Sequence, residues 1–315
     1  MNHPIVVLAG GYSHEREVSL LSGRRVATAL RERGREVIEE DVHAGLIPQL
    51  AALDSPVILP VLHGGTGEDG ALRDVLDLIG LPYVGSTAPA CRLTFDKALA
   101  TPVVARAGVR VPRRVVLPHD MFRELGAATL VDEIVAQLGL PLFVKPAASG
   151  SALGCTRVDR AEGLPQAMAQ AFSYGRVAVI EEFVTGVEVA VAVVDVGDGP
   201  RTYPPVEIRP DSGVYDYESR YTPGTTQFVC PADLDEAAIA RCAEMALTAY
   251  RALSLRDYAR MDLIVDATGA PCFLEGNVAP GLTETSTLPL AIEAVGDNLG
   301  DLLAQLVDRA VARVA

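Results

Sequence analysis

Leu142-Phe143-Val144-Lys145 runs straight into Pro146-Ala147-Ala148-Ser149-Gly150-Ser151-Ala152-Leu153-Gly154, an apolar strand that ends in a lysine and opens into a loop of small residues. Glycines let a backbone approach a bound anion, and a run of backbone N–H groups can cradle phosphate. The Gly-Lys-Ser/Thr of a P-loop is absent, so this is a different device. Taken without its lysine, the loop reads better as an ordinary hairpin turn. Composition gives the lysine weight. Of 27 basic residues, 25 are arginine, and only Lys97 and Lys145 are lysine. Where charge alone is needed the two side chains are roughly exchangeable, but a compact ammonium on a flexible stem has no substitute in a planar guanidinium. The plainer alternative is two surface lysines that survive by accident.

Outward from this loop the chain divides into three units, 1–90, 91–185 and 186–315. In the first, Pro4 to Leu8 reads as a buried strand ending in Ala9-Gly10-Gly11. A helical spacing of apolar residues over 17–33 follows and stops at Gly34. Glu36 to Glu40 and Val57 to Leu62 read as strands, and Ala71 to Ile79 as a helix. This alternation is the rhythm of a parallel α/β (Rossmann-like) sheet, whose ligands bind beyond the carboxyl ends of the strands. The second unit has a helix from Lys97 to Ala107, strands at 114–117, 142–145 and 178–183, and a helix at 130–138. The third opens on the alternating strand Glu188 to Val194, has a helix at 235–252 and a hairpin of strands 260–265 and 271–275, and ends in a helix from about Asp297. Between them 209–227 is too long for a simple connection and reads as a functional loop. The fold class is α/β and α+β.

The chain has 315 residues, 49% hydrophobic and 22% charged, with net charge −14 and pI near 4.8. That is a globular composition with the wrong field for nucleic acid or a basic membrane-surface role. No apolar run reaches membrane-spanning length, and the N-terminus lacks the basic and apolar regions of a signal peptide. Five cysteines in no C-x-x-C pair read as free thiols in a reducing cytoplasm.

Three further groups carry chemistry. Asp262 on one strand of the terminal hairpin, with Glu275 and Asn277 on one face of the other, offers oxygen ligands that suit magnesium. A solvated acidic face is the alternative, weakened by the apolar neighbours Met261, Leu263, Phe273 and Leu274. Glu181, Glu182 and Glu188 bracket Phe183-Val184-Thr185-Gly186 and could hold an amine and a sugar hydroxyl, although surface acids are common. Glu15, at a helix start, and His63, in its glycine loop, carry little alone, since a helix-start glutamate is usually a dipole partner.

Together and in order, Ser13 to Ser19, His63-Gly64-Gly65-Thr66-Gly67-Glu68-Asp69-Gly70, Asp96-Lys97, Lys145-Pro146 with Gly150-Ser151, Glu181 to Glu188, Tyr215-Asp216-Tyr217 with Tyr221, Arg260 with Asp262, and Glu275-Gly276-Asn277 with Pro280-Gly281-Leu282-Thr283 and Ser286 resemble the D-alanine-D-alanine ligases of the ATP-grasp superfamily. The resemblance spans essentially the whole chain. It implies an N-terminal α/β domain over 1–90, a central ATP-grasp subdomain over 91–185, and a C-terminal ATP-grasp subdomain over 186–315 with the metal and substrate site.

It also implies a reaction. ATP phosphorylates the carboxylate of one D-alanine, and the amine of a second attacks the acyl phosphate, for cell-wall precursor synthesis. Lys97, Lys145, Gly150, Ser151, Glu181, Phe183, Val184, Glu188 and Arg220 are implied to bind ATP. Asp262, Glu275 and Asn277 are implied to hold two magnesium ions, with manganese as a substitute. Glu15 and His63 are implied at the first D-alanine, Arg260 with Gly281 at the oxyanion, and Ser286 at the second carboxylate. Tyr221, Ser151 and Glu15 are implied to link a mobile loop to the substrate.

Departures are Ala152 where the family has serine, Arg220 where it has lysine, and Asn277-Val278-Ala279-Pro280-Gly281-Leu282 in the acceptor wall. Arg220 follows the arginine bias of the chain, and the other two, at the phosphate loop and the second-substrate wall, bear on substrate identity rather than on ATP use. Competing readings are a specialised ligase with another amino- or hydroxy-acid acceptor, in antibiotic synthesis or resistance, and a non-catalytic nucleotide-binding protein. A cytoplasmic homodimer acting on small molecules, with no nucleic acid or membrane partner, completes the expectation.

Overall fold

The computed structural model describes residues 3–211, 213, 215, 222 and 224–313. Three sheets organise them. The first is parallel: β1 (Ile5–Leu8) lies between β2 (Val37–Glu40) and β3 (Val57–Pro60). The strands β1 and β3 are buried on both faces, as a parallel sheet requires, and the edge strand β2 is partly exposed. Ile5 and Val7 face a core shared with Val26 and Leu30 of the helix Arg16–Glu32. Val6 and Leu8 face Leu46, Leu50 and Leu76 on the other side. The C-terminal helices Thr287–Ala294 and Leu299–Ala312 join the first of these cores, so the two ends of the chain pack together.

The second sheet has the antiparallel order β4 (Arg114–Pro118), β7 (Val177–Glu182), β5 (Leu142–Pro146), β6 (Thr156–Val158). It is covered by the helices Ala127–Leu138 and Leu164–Phe172. The third runs β11 (Thr226–Val229), β10 (Val206–Pro210), β8 (Val187–Val194), β12 (Tyr258–Val265), β13 (Pro271–Asn277), with β9 (Arg201–Thr202) also on β8. Alternate β8 residues enter two cores, Val189, Val191 and Val193 one way, Ala192 and Val194 the other.

The helix Lys97–Arg106 sits differently from its place in the second unit. Its Ala100 and Val104 belong to the core of the third sheet, beside the helix Glu236–Ala252. Several helices are not legible from periodicity: Leu46–Ala52, Ala88–Phe95, His119–Leu125, Leu164–Phe172 and Thr287–Ala294. Four of them carry a proline that reads as a breaker (Pro48, Pro89, Pro165, Pro289). In each the proline stands in the first turn, where its missing N–H removes no helical bond. The 209–227 stretch begins and ends in paired strand, with Arg209 opposite Gln227 and Pro210 opposite Thr226. Among the described residues no helix is long and apolar enough to cross a membrane, and all five cysteines are free thiols.

Candidate functional site

Strand register builds the first half of the site. Arg260 pairs with Asn277 and Asp262 with Glu275, so these four side chains share one face of the third sheet. Ala190 and Ala192 of β8 lie opposite Asp262 and Arg260, which puts Glu188 on that face too. A bulge makes the alignment. Leu263 pairs with Phe273 and Asp262 with Glu275, leaving Leu274 as the extra residue. Phe273 is therefore in the core while Glu275, two residues on, faces the opposite way.

Charges on this face are paired. Arg260 grips Asp262 with two bonds, Nε to Oδ1 at 2.6 Å and Nη2 to Oδ2 at 2.8 Å. Asn277 Nδ2 donates to Asp262 Oδ2 at 3.0 Å. Burial disfavours the Arg260 charge, yet Asp262 outweighs it and holds the guanidinium pKa above its ordinary value. Lys97 Nζ lies 3.0 Å from Glu275 Oε2 and donates to the Ser149 carbonyl at 2.7 Å. Burial opposes its charge as well, and Glu275 raises its pKa beyond that loss. Lys145 Nζ lies 2.8 Å from Glu181 Oε2, with both residues buried. Both lysines of the chain are thus buried beside a carboxylate, which removes the surface-survivor explanation for their rarity. Glu181 Oε1 is buried without a hydrogen-bond partner, so an amine donor fits there. Two carboxylates and an amide oxygen on one face fit the donor chemistry of magnesium, which keeps other positions for water and phosphate. Among the described residues no cluster of three or more His, Cys, Asp or Glu forms an all-protein metal cage.

Loops build the second half. Glu15 stands at the N-cap of the helix Arg16–Glu32 but its side chain does not cap the helix. Instead Ser151 donates to its carboxylate from the Ser149–Gly154 loop. Two glycines make room. A Cβ at Gly64 (φ +67°) would sit 2.3 Å from Glu15 Oε2, and one at Gly150 would sit 2.9 Å from the same oxygen. Gly281 performs a similar service for Ser286, whose Oγ would lie 2.7 Å from its Cβ. Ser286 Oγ accepts from the Thr283 N–H at 3.1 Å and bonds Thr283 Oγ1 at 2.8 Å.

His63 has both ring nitrogens committed inside the protein. Its Nδ1 is 2.8 Å from the Ala279 carbonyl and Nε2 is 3.0 Å from Ser22 Oγ. The carbonyl can only accept, so Nδ1 carries the proton, and the Ser22 hydroxyl donates to Nε2 while accepting from the Leu282 N–H at 3.1 Å. Burial lowers the His63 pKa, in keeping with a neutral ring. His63 is therefore a brace between the glycine loop, the helix Arg16–Glu32 and the segment around Ala279.

Phe183 lies under the Arg157 guanidinium at 4.4 Å, and Glu182 pairs with Arg113 at 2.6 Å rather than facing the site. Val184 follows in the partly buried connection to β8. Arg220 and Tyr221 lie outside the described residues. Glu15, His63, Gly150, Ser151, Arg260, Glu275, Asn277, Gly281 and Ser286 all line one cavity of about 1240 Å³. Sequence reasoning gave no role to Glu68, a buried carboxyl in the same cavity. Burial and the nearby Glu15 push its pKa up to about 8, against a bond from the Gly64 N–H. Its position in the His63–Gly70 motif was the available signal. Ser22 and Arg25, which bond the backbone of Leu282 and Thr283 beside the cavity, left none.

The family described as D-ala D-ala ligase C-terminus matches residues 103–308. The D-alanine-D-alanine ligase of Desulforudis audaxviator is 41% identical over 312 residues, 98% of this chain and 99% of that protein. That of Bordetella petrii is 37% identical over 308 residues, 98% of this chain and 92% of that protein. Among solved structures, the VanG D-Ala:D-Ser ligase from Enterococcus faecalis superposes with TM-score 0.85 at 28% identity, covering 100% of both chains. The D-alanine-D-alanine ligase from Bacillus anthracis complexed with ATP gives 0.82 at 26%, covering 99% of this chain and 98% of that one. The strand face, the two buried lysine–carboxylate pairs and these relatives lead to one conclusion: the chain is an enzyme of the D-alanine-D-alanine ligase family, built on the ATP-grasp fold.

Proposed function

We propose that this enzyme uses ATP to activate the carboxylate of one D-alanine as an acyl phosphate and joins it to the amine of a second, releasing ADP and phosphate, to supply the dipeptide precursor of peptidoglycan. The observation that carries this reading is the convergence of Glu15, Arg260 and the Gly281–Ser286 turn on one cavity. A carboxylate suits the ammonium of the first amino acid. A guanidinium and the Gly281 N–H on the same cavity suit the oxyanion of acyl transfer, whose stabilisation is commonly the largest catalytic contribution. Ser286 suits the carboxylate of the second amino acid.

Lys97 and Lys145 would contact the phosphates of ATP, under the Gly150-Ser151 loop. Glu181, whose Oε1 is buried and unpaired, would take the adenine amine, with Phe183, Val184 and Glu188 around the base and ribose, and Arg220 on the adjoining loop. Asp262, Glu275 and Asn277 would hold two magnesium ions, which supply neutralisation of phosphate charge, and manganese could replace them. Ser151 on Glu15 ties the phosphate loop to the first-substrate carboxylate. With Tyr221 it would exclude water from an intermediate that hydrolyses readily. His63, with no ring nitrogen left over, would act by holding the wall at Ala279. We further propose a cytoplasmic homodimer, since ATP is its substrate and the family works in pairs. Sedimentation of the purified protein as a monomer would remove that last part.

The test is product formation with ATP, magnesium and D-alanine. One phosphate released per D-alanyl-D-alanine is expected. With equal D-alanine and D-lactate, dipeptide should exceed depsipeptide at pH 7 and gain further towards pH 9, because the amine attacks as the free base with a reference pKa of about 7.7–8.0. Mainly D-alanyl-D-lactate or D-alanyl-D-serine at neutral pH would overturn the substrate assignment.

A further inference from the structure

The acceptor wall, residues 277–286, has little secondary structure of its own before the helix Thr287–Ala294, and it is held by the N-terminal helix. Arg25 Nη1 donates to the Thr283 carbonyl at 2.5 Å and reaches the Leu282 carbonyl at 3.5 Å. Its Nη2 is bonded to the Glu293 carboxylate. One turn earlier on the same face, Ser22 Oγ takes the Leu282 N–H. Thr283 in turn orients Ser286 through both its N–H and its hydroxyl. A continuous chain of bonds therefore runs from Arg25 through Thr283 to Ser286. Arg25 is only partly exposed, and it lines the same cavity as Thr283 and Ser286.

Glu15 stands at the N-terminus of that same helix. Ten residues separate Glu15 from Arg25, about 15 Å along a helix axis. One rigid rod thus carries the carboxylate assigned to the first amino acid and the guanidinium that grips the wall for the second. The planar guanidinium suits this task, because it can hold a backbone carbonyl and a carboxylate at once.

We propose that Arg25 is a positioning residue for the acceptor subsite: by fixing Thr283 it aims the Ser286 hydroxyl and sets how tightly the second amino acid is held. This rests on Ser286 as the acceptor ligand. Loss of Arg25 would leave the ATP and first-substrate contacts in place and loosen only the wall.

The experiment measures KM for ATP and for D-alanine at each of its two subsites in Arg25→Ala, Arg25→Lys, Glu293→Ala and Ser286→Ala. Arg25→Ala should raise the acceptor KM about tenfold, the scale of a charge-assisted hydrogen bond, with kcat, ATP KM and first-subsite KM within about twofold. Arg25→Lys should recover part of that loss, since one ammonium can reach either Thr283 or Glu293. Glu293→Ala should move the acceptor KM less and in the same direction, and its combination with Arg25→Ala should add little. If Arg25→Ala changes kcat or all three KM values together, or leaves the acceptor KM alone while Ser286→Ala raises it, the positioning role is wrong and the site assignment stands. If Ser286→Ala leaves the acceptor KM unchanged, the assignment of the acceptor subsite fails, and this proposal with it.

Discussion

The strand face and the loop junction meet in one cavity but are built in opposite ways. Arg260, Asp262, Glu275 and Asn277 are positioned by hydrogen-bonded register, each opposite its partner across β12 and β13. Glu15, Gly64 and Gly150–Ser151 come from three separate loops, and their contact depends on two missing Cβ atoms and one hydroxyl. The sheet holds its charges without help from any substrate. The junction exists only while the loops touch. The difference teaches how fixity is divided: the strand groups are held by backbone register, whereas the junction is held only by contacts between distant segments.

The comparison breaks most readily at the strand face. Asp262→Asn and Glu275→Gln should each lower turnover about 10³-fold and move the magnesium requirement upward, because each removes a carboxylate that would hold the magnesium ions neutralising the phosphates. A magnesium titration that matches the unaltered enzyme in both variants would take these residues out of the metal site. Asp262→Asn also leaves Arg260 buried without its counter-charge, so a lower thermal midpoint should accompany it.

Lys145→Arg should cost about 10²-fold in turnover despite keeping the charge, since a guanidinium cannot occupy the space of an ammonium packed 2.8 Å from a buried carboxylate. Near-normal ATP use by that variant would show that the buried site on β5 tolerates exchange and that the scarcity of lysine has no chemical meaning.

At the loop junction the expected loss is smaller and of another kind. Ser151→Ala should lower turnover about fivefold and raise the ATP hydrolysed per dipeptide formed, because closure would be looser. Ala152 leaves no adjacent hydroxyl to substitute. Unchanged coupling would place the junction with the rigid half of the site.

The smallest effect concerns Glu68, buried between the two halves. Its folded pKa of about 8 lies above the unfolded value. Between those values the native state keeps a proton that the unfolded chain has released, so this contribution to stability is full in acid and is lost as pH rises towards 8. Glu68→Gln should remove that loss. The thermal midpoint of the variant, relative to the unaltered enzyme, should rise by about 5 °C between pH 5 and pH 8. His63, depressed by burial, works in the other direction, losing stability as pH falls below 6.5, and cancels in the comparison. Equal pH slopes for the two proteins would mean that Glu68 is ionised in the native state.

Much of the sheet-borne half is written locally. The alternation of Arg260 and Asp262, the apolar runs at Ile5–Leu8 and Val57–Pro60, and the lysine ending Leu142–Lys145 follow from side-chain direction along a strand, which a period of two encodes within a few residues. The chemistry of the donors is equally local, since a carboxylate is a carboxylate wherever it lies. The rest depended on docking between distant segments. Periodicity alone would put Phe273 and Glu275 on one face, and only pairing with β12 reveals the bulge at Leu274 that separates them. Ser151 meets Glu15 across 136 residues, and Arg25 meets Thr283 across 258. His63, which the family resemblance placed beside a substrate, turned out to spend both nitrogens on Ala279 and Ser22. No local pattern carries such contacts, because they are fixed by how three sheets from distant parts of the chain pack, and that packing is decided by buried area summed over the whole chain.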